Sequence, residues 1–142
     1  MEYLELIKTA LEKEKFELAK HLGKADKNRL ESPVSTESHS DTTRARYEQL
    51  IASLKEKIKI LDDQISSISK LTPWKYFEIK SSKGMVKYIL APNGFGGRKI
   101  EEVLLVSAGA PIGQKLINIS ENESFSVNGQ DYVVIRVVNL IN

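Results

Sequence analysis

The stretch that decides the reading of this chain is residues 103–140, VLLVSAGAPIGQKLINISENESFSVNGQDYVVIRVVNL. It opens on VLLVS (103–107), an apolar run of strand length. In AGAPIGQKLI (108–117), Pro111 suits the first turn of a short helix, where its fixed φ is already helical and its missing N–H would have had no partner. That helix is expected to bury Ile112, Leu116 and Ile117. FSV (125–127) and DYVVIRVVNLI (131–141) flank the pair Asn128-Gly129. A type I′ turn needs positive φ at both central residues, so Asn-Gly between β-prone segments predicts a hairpin.

Working outward toward the N-terminus, WKYFEIK (74–80) and MVKYILA (85–91) are rich in aromatic and β-branched residues. They are joined by SSKG, which has turn composition, and read as a second hairpin. PNGFGGRK (92–99) reads as a loop. The economical assembly of these pieces is an antiparallel sheet packed on one short helix.

Before Pro73 the period changes. Tyr47, Ile51, Leu54, Ile58, Leu61, Ile65 and Ile68 recur at alternating spacings of four and three, the seam of a coiled coil. Leu4, Ile7, Leu11, Leu18, Leu22 and Ala25 form a similar stripe, with a charged gap at Glu14 and Lys15 and a glycine at position 23. Between the stripes, RLESPVSTESHSDTT surrounds Pro33, so a tip loop is expected near 29–41, with Ser40 and Asp41 as candidate N-caps. The second helix is expected over about 42–71, ending at Thr72 because proline disfavours helical dihedrals in the preceding residue. At roughly 1.5 Å per residue it would be about 45 Å long, more than a small sheet domain can cover, so the hairpin is expected to protrude. The fold class is therefore α+β: an antiparallel helical hairpin over 1–72, then a sheet domain over 73–142.

Composition narrows the function classes. Hydrophobic residues make up 41% and charged residues 28% of 142, and no apolar run approaches the roughly 20 residues of a membrane span. The start MEYLELIKTALEKEKFELAK lacks the continuous apolar core of a secretory signal, which gives a cytoplasmic expectation. Without cysteine there is no disulfide, thiolate nucleophile or thiolate zinc site. His21 and His39 stand outside any ligand-spaced cluster and read as polar helix-face and loop residues. The net charge of +2 is too small to imply nucleic acid. Lys75, Lys80, Lys83, Lys87, Arg98 and Lys99 nevertheless fall in one stretch, which reads as a solvated sheet face or as a modest electrostatic patch. No Walker or Rossmann glycine pattern is present, since GFGG lacks the following helix and lysine.

ILAPNGFGG, VLLVSAGAPIGQKLI and SFSVNGQDYVVIRVV resemble the C-terminal domain of the Gre transcript-cleavage factors over roughly residues 74–140. The most specific element is the small-Pro-hydrophobic-Gly-x-x-Leu block at Ala110, Pro111, Ile112, Gly113 and Leu116, which here follows a strand and precedes an acidic linker and an NG hairpin. The resemblance implies an FKBP-like domain that docks at the rim of the secondary channel of bacterial RNA polymerase. It carries the docking role onto Gly109, Ala110, Pro111, Ile112 and Gly113. Two departures are visible: Gly109 and Ala110 lack the acidic and hydroxyl groups the family carries before the proline, and Glu121-Asn122-Glu123 replaces its Gly-Asp turn. Asn122 can still take the left-handed conformation such a turn needs.

Gre hairpins present two acidic tip residues that help hold a Mg²⁺ shared with the polymerase active site; a hard cation of this kind takes oxygen ligands. Aligning Ala45 and Tyr47 with the family's tip motif puts Ser40 and Thr43 where the acids belong, so the pair is not preserved. Asp41, Glu37 and Glu31 are the remaining carboxylates of the tip, candidates for a rearranged Mg²⁺ site or simply cap and solvated loop residues. The expected protein is a non-enzymatic, monomeric polymerase-binding elongation regulator with weakened or absent cleavage stimulation and no cofactor of its own. Nucleic-acid contact is then at most indirect. Two other readings stay open: a peptidyl-prolyl isomerase with a pocket drawn from Trp74, Tyr76, Phe77, Tyr88, Phe95, Phe125 and Tyr132, and an adaptor dimerising through its hairpin.

Overall fold

The computed structural model describes the backbone of residues 2–31 and 38–141 and the side chains of residues 3–28 and 43–141. Nine elements follow in order: helices α1 (Glu2–Glu31) and α2 (Ser38–Ser67), strands β1 (Lys75–Ser81), β2 (Gly84–Ala91), β3 (Lys99–Ile100) and β4 (Val103–Ser107), helix α3 (Pro111–Leu116), and strands β5 (Ser124–Val127) and β6 (Gln130–Asn139). The chain forms two compact units, Lys8–Ser67 and a sheet unit of Met1–Ile7 with Ile68–Asn142.

In the helical unit the two stripes become the buried seam. Leu11, Ala25, Ile51, Leu54 and Leu61 are buried, and Ala25, Ile51 and Leu54 form a cluster to which Leu18 and Leu22 add. Lys15, in the charged gap of the first stripe, reaches Asp62 at 2.5 Å. Residue 15 meeting 62 while residue 25 meets 51 and 54 makes the pair antiparallel. Burial of each leucine or isoleucine contributes about 1.5–3 kcal/mol, whereas a half-exposed ion pair contributes about 0–1. The seam therefore holds the pair together and Lys15–Asp62 bridges its gap.

Helix limits differ from the expected ones at both ends of α2. It begins at Ser38, so Ser40 and Asp41 lie inside its first turns rather than capping it, and α1 continues through Glu31. Of the expected tip segment 29–41, residues 29–31 belong to α1 and 38–41 to α2, and 32–37 lie outside the described residues. At the other end α2 stops at Ser67, four residues short of position 71. Ser66 and Ser67 donate to the carbonyls of Asp62 and Asp63 at 2.9 and 2.7 Å, the back-bonding that loosens a last turn.

The sheet has the order β3-β4-β2-β1-β6-β5. Both expected hairpins form: Ser81 pairs with Gly84 across a two-residue turn, and Val127 pairs with Gln130 across Asn128 (φ 51°) and Gly129 (φ 78°). The sheet is mixed, however, not antiparallel throughout. β4 runs parallel to β2, with Tyr88 opposite Leu104 and Leu90 opposite Val106. A parallel neighbour requires a crossover, and the glycine-rich segment after β2 supplies it, together with β3, which turns back antiparallel onto β4. Apolar patterning alone does not distinguish the two directions of β4.

One sheet face carries the main core. Phe77, Ile79, Leu90 and Val134 pack with Leu116 of α3, and Ile112, Ile119 and Tyr88 border them. Ile117, expected inside, is 36% exposed, because six helical residues turn only Gly113 and Leu116 fully inward. At the other side of the sheet unit, Tyr3 stacks on Tyr76 at 5.0 Å and Trp74 packs edge-on against Phe95 at 5.1 Å. The Trp74 indole donates to the Ile68 carbonyl at 2.8 Å, which ties the segment after α2 to the sheet.

Candidate functional site

The residues to which the resemblance gives a docking role form one loop, from the end of β4 through the first turn of α3. It is held from below by the crossover loop. The Ala108 N–H donates to the Ala91 carbonyl at 2.8 Å, continuing the β2–β4 ladder one step past the strand. The Ser107 hydroxyl accepts from the Gly96 N–H at 2.9 Å, and the Asn93 Oδ1 accepts from the Gly109 N–H at 2.8 Å. Phe95, buried between these two contacts in sequence, anchors the crossover loop in the core.

Two glycines let these segments meet. A Cβ on Gly113 would collide with the Ser107 carbonyl oxygen, and one on Gly96 would sit 2.7 Å from the Ser107 backbone nitrogen. In both cases the obstacle includes backbone, which cannot rotate away. Ser107 is thus the point on which the loop turns, its hydroxyl facing one glycine and its carbonyl the other.

Above that point the chain turns sharply. The Ala110 N–H donates to the Ser107 carbonyl at 3.0 Å, and the Gln114 N–H to the Ala110 carbonyl at 2.9 Å. Ala110 is extended (φ −70°, ψ 156°) and provides no side-chain cap, so Pro111 starts the helix by its own fixed geometry. The Gln114 amide reaches back to the Gly109 carbonyl at 3.3 Å. Gly109 and Pro111 are exposed; Ala110 and Ile112 are half-buried. Beside them lies an open depression of about 360 Å³ lined by Pro111, Ile112, Val127, Asn128, Gln130 and Tyr132. The loop at 109–113 and the Asn-Gly hairpin, remote in sequence, therefore share one surface.

This surface is neutral and short of reactive groups: no side chain between 107 and 114 is ionisable, and the one hydroxyl is engaged with Gly96. It can offer apolar contact, backbone groups and shape. Sequence reasoning singled out 109–113 but missed Asn93 and Ser107, the residues that hold the loop. The signal for Asn93 was its place before Gly94 in PNGFGG; only the crossover shows that it faces Gly109.

The candidate tip carboxylates lie outside the described side chains. Glu31 ends α1 and Asp41 lies in the first turns of α2, with both side chains outside the described residues, and Glu37, like His39's side chain, also lies outside them. Among the described residues no group of three or more His, Asp or Glu side chains is placed to hold a metal ion. Of the seven aromatics considered for an isomerase pocket, Trp74, Tyr76, Phe77 and Phe95 are buried in the core, while Phe125 and Tyr132 stack at 5.1 Å and line an open depression of about 730 Å³. Asn122 takes the expected left-handed conformation (φ 69°), its N–H donating to the Val134 carbonyl at 2.7 Å.

No family model matches the sequence, and no curated protein matches it. Among solved structures, the chain is similar to the GreA factor homolog 1 (Gfh1) protein of Thermus thermophilus at 14% identity, with a TM-score of 0.41 over 93% of this chain and 94% of that one. It is similar in the same degree to a second structure of the transcription factor Gfh1, at 14% identity and a TM-score of 0.40 over 92% of each chain.

Proposed function

We propose that this chain is a Gre-type factor that binds bacterial RNA polymerase, docks through the loop 109–113, and regulates transcription without chemistry of its own. The observation that carries this reading is the loop itself. The block at 110–116 that resembles the Gre docking element is entered by a turn exposed at Gly109 and Pro111 and braced by Asn93, Ser107 and two glycines that admit no side chain. A braced, exposed turn of neutral residues suits recognition by a preformed surface, where little ordering cost is left for binding.

In the same reading the antiparallel helical pair is the element that enters the secondary channel, and Ser40 and Thr43 stand where cleavage-stimulating acids would be. The factor then occupies the channel without supplying carboxylates for a second Mg²⁺. A transcript-cleavage assay on backtracked complexes tests this. The expected result is binding with unchanged or slowed RNA cleavage. Accelerated cleavage that is lost in Asp41→Asn or Glu37→Gln would instead assign the tip a metal-binding role.

A further inference from the structure

The sheet face opposite α3 carries a patch that the docking loop does not explain. Strand register sets two rows of side chains across β2, β1 and β6. Met85, Lys80 and Val133 stand side by side in one row, and Lys87, Glu78 and Arg136 in the next. Glu78 and Lys80, two apart on one strand, share a face. Met85 and Val133 are 54% and 39% exposed, and a bulge opposite Glu78/Ile79 adds Ile135, 42% exposed, next to Arg136. Three of the nine large exposed hydrophobics among the described residues are thus gathered beside three cations.

Strand lysines commonly protect a sheet edge from pairing with other chains, yet β1 and β2 are interior strands here. Nor does internal pairing account for the charge. Glu78 is the single carboxylate in the two rows, and it already accepts from the Tyr76 hydroxyl at 2.8 Å and meets Arg136 at 3.9 Å. Lys80 and Lys87 form no ion pair among the described residues.

We infer that this face, centred on Lys80, Lys87, Met85, Val133 and Ile135, is a second protein-docking surface whose partner is an acidic segment bearing aliphatic anchors. Charge complementarity favours an acidic partner, and the exposed aliphatics favour a polypeptide over nucleic acid. Single-stranded bases are held by stacking on aromatic rings, and Tyr76, the tyrosine of these strands on this face, is only 5% exposed beneath Tyr3. A second copy of the chain would bring like charges together. The inference does not rest on the polymerase reading, since it involves a different face and other residues.

The test is a titration of the full chain, followed by residue-resolved NMR, with a short peptide alternating glutamate and leucine. Its glutamine counterpart and an oligothymidylate serve as the two comparison ligands. The expected result is chemical-shift change mapping to residues 80–87 and 133–136. The double variant Lys80→Glu/Lys87→Glu, checked for folding by circular dichroism, should bind about tenfold more weakly. Lys99→Glu, on the outer strand β3, should bind as the unaltered chain does. Shifts elsewhere, equal loss in both variants, equal binding of the glutamine peptide, or tighter binding of the oligothymidylate at the same residues would each overturn the inference.

Discussion

Ser107 shows how far one residue organises this molecule. Its carbonyl faces Gly113 and its hydroxyl receives Gly96, so Gly113→Ala should force the backbone apart where β4 meets α3. Overpacking of this kind costs about 1–3 kcal/mol, readable as a lowered urea midpoint. Tyr76 gives a second prediction at this scale. Burial first, then the hydrogen bond to Glu78, holds its phenol well above the ordinary tyrosine range of about 10. The folded form keeps the proton while the unfolded form releases it, so this contribution is complete below about pH 10 and is lost as pH rises beyond it. Unfolding titrations across that range should show a steeper alkaline loss in the unaltered chain than in Tyr76→Phe; equal slopes would contradict the assignment. Tyr88, raised by its own burial and by the nearby Tyr132, contributes the same sign in both proteins.

Among the elements, the seam and the turns carry most of the order. Leu54, buried in the cluster with Ala25 and Ile51, should cost about 2–5 kcal/mol as Leu54→Ala, whereas Asp62→Asn, which removes only the half-exposed bridge to Lys15, should cost less than about 1. Loss of far-UV circular dichroism on heating separates the two. The β5–β6 hairpin depends on Gly129 at φ 78°, and Gly129→Ala should destabilise by about 1 kcal/mol or slightly more. At this scale the sequence was most legible where the chemistry is local. Spacing of four and three located both helical stripes, and Asn-Gly located its turn. What it did not reveal was set by distant partners: the parallel direction of β4, the exposure of Ile117, and Asn93 and Ser107 as braces. The start of α2 was misread because Ser40 and Asp41 have the composition of caps, while the helix begins two residues before the first of them.

For the whole molecule, charge is divided unevenly between the two halves. Residues 1–72 balance 13 basic against 13 acidic side chains, while 73–142 hold 8 against 6, with Lys80, Lys87 and Arg136 converging on one face of the sheet. The loop at 109–113 is neutral and the open sheet face cationic, and the docking proposed for each would involve different contacts. Association through the loop should therefore depend little on salt, whereas binding at the sheet face should weaken steeply as ionic strength rises. The central claim is tested most directly by titrating fluorescently labelled bacterial RNA polymerase with the full chain and with Pro111→Glu, which places a charge on the exposed tip of the loop without touching its braces. The account predicts saturable binding by the unaltered chain, weakened about tenfold or more in the variant; no binding, or equal binding by the two proteins, would contradict it.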